Sequence, residues 1–204
     1  MTSCMPRKIK TLDESALGFS WTIDEAYERG SHALADGGRV WIVDPVDFDG
    51  LDEKLRALGE PAAVLQLLDR HDRDCAEVAE RLGVPHHNIP DELPDSPFEV
   101  IKVIQLPVWK ERALWWADRQ ALIVAEVVGT NSLYTAGQGG IGMHIFLRPR
   151  PPKVLRGRSP QHLLMGHGDP LHGPEATDGL EYAYAHARKD LIKAWRNAPA
   201  SVRD

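Results

Sequence analysis

The stretch from Ala62 to Pro85 limits the possible folds more than any other part of the chain. Ala62 to Leu68 is a short apolar run of the length and character of a fully buried strand. Cys75, Val78, Ala79 and Leu82 then recur at i, i+3, i+4 and i+7, which puts them on one face of a helix closed by Gly83-Val84-Pro85. Between the two lies Asp69-Arg70-His71-Asp72-Arg73-Asp74, where five of six residues carry formal charge at neutral pH. A buried strand that runs through a charged loop into a helix is the local pattern of an α/β protein. Such loops are where α/β proteins place binding and catalytic groups.

The rest of the chain supports that reading. Its 204 residues make one domain, 1–204, with an adequate apolar core. The net charge of −6 and the absence of a run of like charges argue against nucleic-acid binding. The one basic cluster, Arg148, Arg150, Lys153, Arg156 and Arg158, is broken by Pro149, Pro151 and Pro152 and reads as an extended surface segment. No apolar run reaches the roughly 18 residues of a membrane span. Met1 to Lys10 has no apolar signal core, and the two cysteines, Cys4 and Cys75, do not suggest a disulfide. The expected setting is therefore the cytoplasm, with a small-molecule ligand as partner, no nucleic acid, no membrane, and homo-oligomerisation left open.

In chain order, Met1 to Ser20 carries little periodic signal and reads as a poorly defined segment. Ser31 to Leu34 and Arg39 to Val43 read as a hairpin around Asp36-Gly37-Gly38. Its second strand ends in Asp44-Pro45, and Leu51 to Leu58 is a short helix. Phe98 to Leu106, Ala113 to Ala117 and Ala121 to Val128 are three closely spaced strands, so antiparallel pairs should mix with the earlier parallel ones. Gly129 to Gly142 reads as a loop; its Gly137 to Gly142 portion echoes a nucleotide fingerprint only superficially. His162 to Met165 is a strand that leads into Gly166-His167-Gly168. A single helix is expected from Asp178 to Trp195, opened by an Asp178/Glu181 capping box.

Trp41-Ile42-Val43-Asp44-Pro45, the loop Leu68 to Asp74 and the segment Leu163-Leu164-Met165-Gly166-His167-Gly168 together resemble the metallo-β-lactamase fold superfamily. The resemblance spans about Ser31 to Trp195. It implies an α/β, four-layer αββα sandwich of two mixed β-sheets flanked by helices, with a metal site on loops at the sheet ends. Laid on the family's T-H-x-H-x-D-H motif, only His71 matches; Asp69, Arg73 and Asp74 stand where metal ligands would be. The family's middle histidine has no counterpart in Leu106-Pro107-Val108-Trp109-Lys110, its bridging aspartate falls near Glu126, and His167 takes the place of its last histidine.

The expected pocket is thus Asp69, His71, Arg73, Asp74, Glu126 and His167, with no residue assigned a catalytic role. Arg73 is the decisive departure, because a fixed guanidinium disfavours a cation beside it. Pairing with Asp69, Asp74 or Glu126, it would let its own charge replace the metal's. The leading expectation is a metal-free remnant site in a non-hydrolytic or small-ligand-binding protein. The alternative is a metal-dependent hydrolase of an ester, thioester or amide. In that case zinc or manganese would be held by His71, His167, Asp69, Asp74 and Glu126. A third alternative is an interaction protein that presents Trp109, Trp115 and Trp116. Each residue also has a plainer role. Asp74 with Glu77 can simply cap a helix, Asp69 and Arg70 can be solvated charges, and the glycines beside His167 can serve only a turn. His86, His87, His144 and His172 are left unassigned, and Cys75 reads as core.

Overall fold

The computed structural model describes residues 7–137 and 140–197. Its first half contains strands β1 (Ile9–Ser15), β2 (Gly18–Ile23), β3 (Gly30–Asp36) and β4 (Arg39–Val43), then helix α1 (Leu51–Leu58), β5 (Glu60–Gln66), α2 (Cys75–Leu82) and β6 (His86–Asn88). These strands form one sheet in sequence order, antiparallel from β1 to β4 and parallel from β4 to β6. The second half contains β7 (Glu99–Leu106), β8 (Trp109–Trp116), β9 (Ala121–Val124), β10 (Val128–Gly129), β11 (Gly142–Met143), β12 (His162–Met165) and β13 (Leu171–His172), followed by α3 (Pro174–His186) and α4 (Leu191–Asn197). The second sheet runs β13-β12-β9-β8-β7, with β9 and β12 parallel and the other neighbours antiparallel. β10 and β11 make a separate short ladder.

Side-chain alternation builds the layers. Trp41, Val43 and Leu65 face Leu114, Trp116, Ile123 and Leu164 across the gap between the sheets. Their neighbours Val40, Ile42 and Val64 point the other way, onto Leu51 and Leu55 of α1 and Cys75, Val78 and Ala79 of α2. In the second sheet Leu122, Val124, Leu163 and Met165 point outward onto Ala176, Leu180 and Ala183 of α3. Each central strand is covered on both faces, so its sequence reads as an unbroken apolar run. The result is the expected four-layer αββα sandwich of two mixed sheets.

Several expectations need correction. The N-terminal segment forms the β1–β2 hairpin. β1 is an edge strand whose half-buried face carries Ile9, Thr11, Asp13 and Ser15, so no hydrophobic alternation marks it. The last helix is two helices. α3 starts at Pro174, whose fixed φ suits the first helical position, and it ends at His186. Neither capping box forms: Asp178 lies inside α3, and Asp74 stands at the start of α2 without bonding to its backbone. Gly129 and Gly142 sit in the β10–β11 ladder, whereas part of the Gly137 to Gly142 run, like Cys4, lies outside the described residues. Trp109 and Trp116 are buried and Trp115 is half-buried beneath Arg158, so the three make no exposed patch. Cys75 is buried, and burial pushes its thiol pKa up, as expected of a core cysteine. Among the described residues, no helix is long and apolar enough to cross a membrane.

Candidate functional site

Two pairs of parallel strands, one pair in each sheet, aim their C-terminal ends at one place. β4 delivers Asp44, β5 leads through Leu67 and Leu68 to His71, β9 leads to Glu126, and β12 leads to His167. Such strand ends are the usual location of sites in α/β sheets, because the backbone stops pairing there and turns. Asp44 and Arg73 both hold a left-handed backbone, with φ of 44° and 45°. That conformation costs a non-glycine residue roughly 1–3 kcal/mol and persists only where its surroundings enforce it.

Asp44 is the anchor. Its Oδ1 accepts the Leu67 N–H at 2.9 Å, and its Oδ2 accepts from His71 Nδ1 at 3.0 Å. Burial opposes its charge, but His71, Arg73 and the Leu67 amide outweigh burial and hold the carboxyl below its usual range. An ionised Asp44 can only accept, so His71 donates to it through Nδ1, and in the neutral imidazole Nε2 is then the lone pair. His167 is set the same way, since its Nδ1 lies 2.9 Å from the Tyr27 carbonyl oxygen, which has no proton to give. Burial, then the neighbouring charges of His71 and Arg73, lower its pKa to about 3, so it is neutral at pH 7.

The two Nε2 atoms therefore face each other, 3.3 Å apart. Glu126 Oε1 lies 3.5 Å from the first and 3.8 Å from the second. His71 and His167 are only 6% and 7% exposed. Gly166 makes this approach possible, because a Cβ there would meet the Ala125 oxygen at 2.5 Å and His71 Cε1 at 3.0 Å. Gly168 combines φ of 87° with a Cβ position 2.2 Å from Thr130 Oγ1. The glycines beside His167 thus serve close approach as well as turning.

A tetrahedral ion with bonds of about 2.0–2.1 Å needs donors about 3.3–3.4 Å apart. The His71, His167 and Glu126 atoms come near that spacing, and they are the group among the described residues that could hold a metal ion. Asp44 behind His71 and the Tyr27 carbonyl behind His167 are outer partners of the kind that orient metal-ligating histidines. The residues therefore fit a single ion.

Glu126 has two sides. Oε1 faces the histidines, while Oε2 accepts from Arg70 Nη2 at 2.7 Å and lies 3.9 Å from His144 Nε2. Burial would raise its pKa, but His71, His144 and Arg70 hold it well below the usual carboxylate range. The Glu126 backbone N–H donates to Glu111 Oε1 at 2.8 Å. Glu111 is fully buried, and burial lifts its pKa to about 8, so it is mostly neutral at pH 7.

Among the described residues Arg73 pairs with no carboxylate, contrary to the sequence-based expectation. Nη1 donates to the Gly30 and Asp44 carbonyls at 2.5 and 2.7 Å, and Nη2 donates to the Gly166 carbonyl at 2.9 Å. It ties together backbone from both sheets. Nη2 also comes within 3.5 Å of His71 Nε2, beside the metal-sized gap. Asp69 and Asp74 are engaged elsewhere. Asp69 Oδ2 accepts the Lys110 N–H at 2.8 Å, while Asp74 accepts the Asp47 N–H at 2.7 Å and pairs with Arg7. The six-residue pocket read from sequence thus resolves into His71, Glu126, His167 and Arg73 in mutual proximity, with Asp69 and Asp74 outside the cluster.

Sequence reasoning left out Asp44, Tyr27, Arg70, Glu111, Tyr134 and His144. Asp44 was visible as an acid at a buried strand's end, and Arg70 as a loop charge. Tyr27 acts through its backbone carbonyl, which no side-chain pattern reveals. Tyr134 stacks on His167 with ring centres 5.5 Å apart, and His144 flanks Glu126. Tyr134 lies between β10 and β11 and His144 directly after β11, and neither carries a motif.

No protein-family model matches the sequence, and no curated protein does. Solved structures do match. DIM-1 metallo-β-lactamase exposed to ceftazidime is 15% identical, with a TM-score of 0.62 over 91% of this chain and 99% of that one. TMB-1 is 13% identical, with a TM-score of 0.55 over 89% and 98%. A peroxy diiron species of the chemotaxis sensor ODP is 12% identical, with a TM-score of 0.55 over 89% and 99%. This chain therefore has the fold of the metallo-β-lactamase superfamily.

Proposed function

We propose that this chain is a metal-dependent hydrolase of an ester, thioester or amide, holding one divalent ion at His71, Glu126 and His167. The observation that carries the reading is the facing pair of Nε2 atoms at 3.3 Å, each the lone-pair nitrogen of a neutral imidazole that donates through Nδ1. Two lone pairs aimed at each other repel unless something positive lies between them. Two imidazoles and one carboxylate suit zinc, and manganese is the second candidate. When bound, such an ion supplies Lewis acidity toward an acyl oxygen and acidifies water. The chain's own residues do the rest. Asp44 and the Tyr27 carbonyl hold the imidazoles in the ligating tautomer, Glu111 fixes the backbone that presents Glu126, and Arg73 pins the loops of both sheets around the gap.

One observation favours the metal-free binding protein instead. Arg70 and Arg73 already balance Asp44 and Glu126, two guanidiniums against two carboxylates, with Arg73 Nη2 only 3.5 Å from His71 Nε2. A proton on His71 Nε2, pointing at Glu126 or His167, would then stand in for the metal. Elemental analysis of protein prepared without chelators separates the two readings. The metal reading expects about one zinc or manganese per chain, a higher melting temperature on metal addition, and esterase or thioesterase activity that His71→Ala abolishes. A chain without metal whose melting point ignores zinc, manganese and iron would leave the binding protein as the better account.

A further inference from the structure

The outer side of Glu126 has features that a metal cup alone does not need. Arg70, 43% exposed in its side chain, makes a single protein hydrogen bond among the described residues, from Nη2 to Glu126 Oε2. Its guanidinium lies over Trp109 at 4.3 Å, which fixes its plane and leaves its other N–H groups unspent. His144 Nε2 approaches the same Glu126 oxygen but stops at 3.9 Å, beyond hydrogen-bond reach, and its Nδ1 is buried without a partner. A histidine this enclosed usually satisfies both nitrogens within the protein.

Rings hold His144 in this position. Trp109 meets it edge-on at 5.0 Å, Tyr134 at 5.7 Å, and Phe146 lies tilted at 5.6 Å. Its backbone N–H donates to Val127 O at 3.0 Å, one residue after Glu126, so the loop cannot drift away from the site. Trp109 and Tyr134 are buried, yet Phe146 is 56% exposed beside them. Arg70 and His144 Nε2 thus meet at the outer Glu126 oxygen, beside an aromatic wall that ends in an open ring.

We propose that Arg70 and His144 form an oxyanion subsite, and that the exposed ring of Phe146, at the end of the aromatic wall, receives a flat apolar substituent attached to that oxyanion. The site would accordingly select aromatic or similarly flat acyl compounds over small aliphatic ones. Donors already in place and held by packing stabilise developing negative charge without reorganising during reaction. This inference deepens the hydrolytic reading but stands on different atoms from the metal cup, so the two fail separately.

The test titrates the full chain, with and without zinc, with phenylphosphonate and with methylphosphonate, read by tryptophan fluorescence and calorimetry. Phenylphosphonate should bind at least about tenfold more tightly than methylphosphonate. Arg70→Gln and His144→Leu should each weaken phenylphosphonate about tenfold or more, while Arg70→Lys keeps part of the binding. Zinc affinity, measured separately, and the melting temperature report whether a variant is still folded. Equal binding of the two phosphonates overturns the aromatic wall. Phenylphosphonate binding that His71→Ala removes but Arg70→Gln and His144→Leu leave intact overturns the subsite and assigns the anion to the metal. Binding that persists without zinc and still depends on Arg70 and His144 upholds the subsite even if the metal reading fails.

Discussion

The fold contains two histidine pairs, and they resolve in opposite ways. At the strand ends, His71 and His167 donate through Nδ1 to Asp44 and the Tyr27 carbonyl, so as neutral imidazoles they bring two bare Nε2 atoms to 3.3 Å with Glu126 beside them. Near the sheet edges, His172 Nε2 donates to Asp13 at 2.9 Å, and its Nδ1 lies 2.7 Å from His162 Nδ1. One proton between those two nitrogens closes the chain from His162 through His172 to Asp13. The first pair needs a cation or an added proton; the second satisfies itself. Ligand type and proximity therefore do not make a metal site. What matters is where the outer partners send the protons.

The largest expected effect breaks the first arrangement at its anchor. Asp44→Ala removes a buried carboxylate that holds both the Leu67 amide and His71, and should cost about 3–5 kcal/mol of stability in denaturant melts. Asp13→Asn in the second arrangement should cost less than about 1 kcal/mol, because Asp13 and His172 are about 30% exposed. Comparable losses would mean that the two pairs do not differ as described.

Zinc sharpens the same contrast. At free zinc near 100 times its dissociation constant, a folded-state site adds about 2.7 kcal/mol, or about 5–10 °C in melting temperature for a chain of this size. His71→Ala and His167→Ala should abolish that gain, whereas His162→Ala should keep it. If His162→Ala also removes it, the ion binds at the sheet edge.

His32 provides a third arrangement, buried with Nδ1 2.8 Å from Ser20 Oγ and Nε2 3.2 Å from the Met165 carbonyl. Burial, then the charge of Arg73, lowers its pKa from 6.5 to about 3. The folded pKa lies below the unfolded one, so between those values the unfolded chain binds more protons and stability falls as pH falls. By pH 4.5 this group alone should withdraw about 2–3 kcal/mol. Stability measured from pH 7 to 4.5 should fall less steeply in His32→Gln than in the unsubstituted chain; parallel curves would show that His32 does not set the acid limit.

The smallest effect concerns the Arg70 rim. Its ion pair with Glu126 is part-exposed, so Arg70→Gln should change folding stability by no more than about 1 kcal/mol in the same melts. A larger loss would make Arg70 a structural clamp on Glu126 instead of a residue free to meet a ligand.

Much of the fold was legible in the chain. The runs at Trp41, Ala63, Leu122 and Leu163 are apolar because their strands are covered on both faces, and burial writes itself into composition. The β1–β2 hairpin was not legible, because an edge strand half-buried at Thr11, Asp13 and Ser15 carries no hydrophobic rhythm. The candidate site was legible as residue types at strand ends: His71, Glu126 and His167. Asp69 and Asp74 have the right chemistry in the wrong place, because the loop's turn sends their carboxylates to the amides of Lys110 and Asp47.

Sequence alone therefore determined the buried strands and the side chains available where they end, because periodicity and burial are local to each element, while the layered architecture was legible only through the family resemblance. Only the tertiary structure decided what those side chains do. Arg73 spends its charge on three backbone carbonyls, and a carbonyl at Tyr27 and a carboxylate at Asp44 decide where two histidines keep their protons. Hydrogen bonds between distant segments set tautomer and charge, and no spacing along the chain encodes which backbone oxygen a side chain will meet.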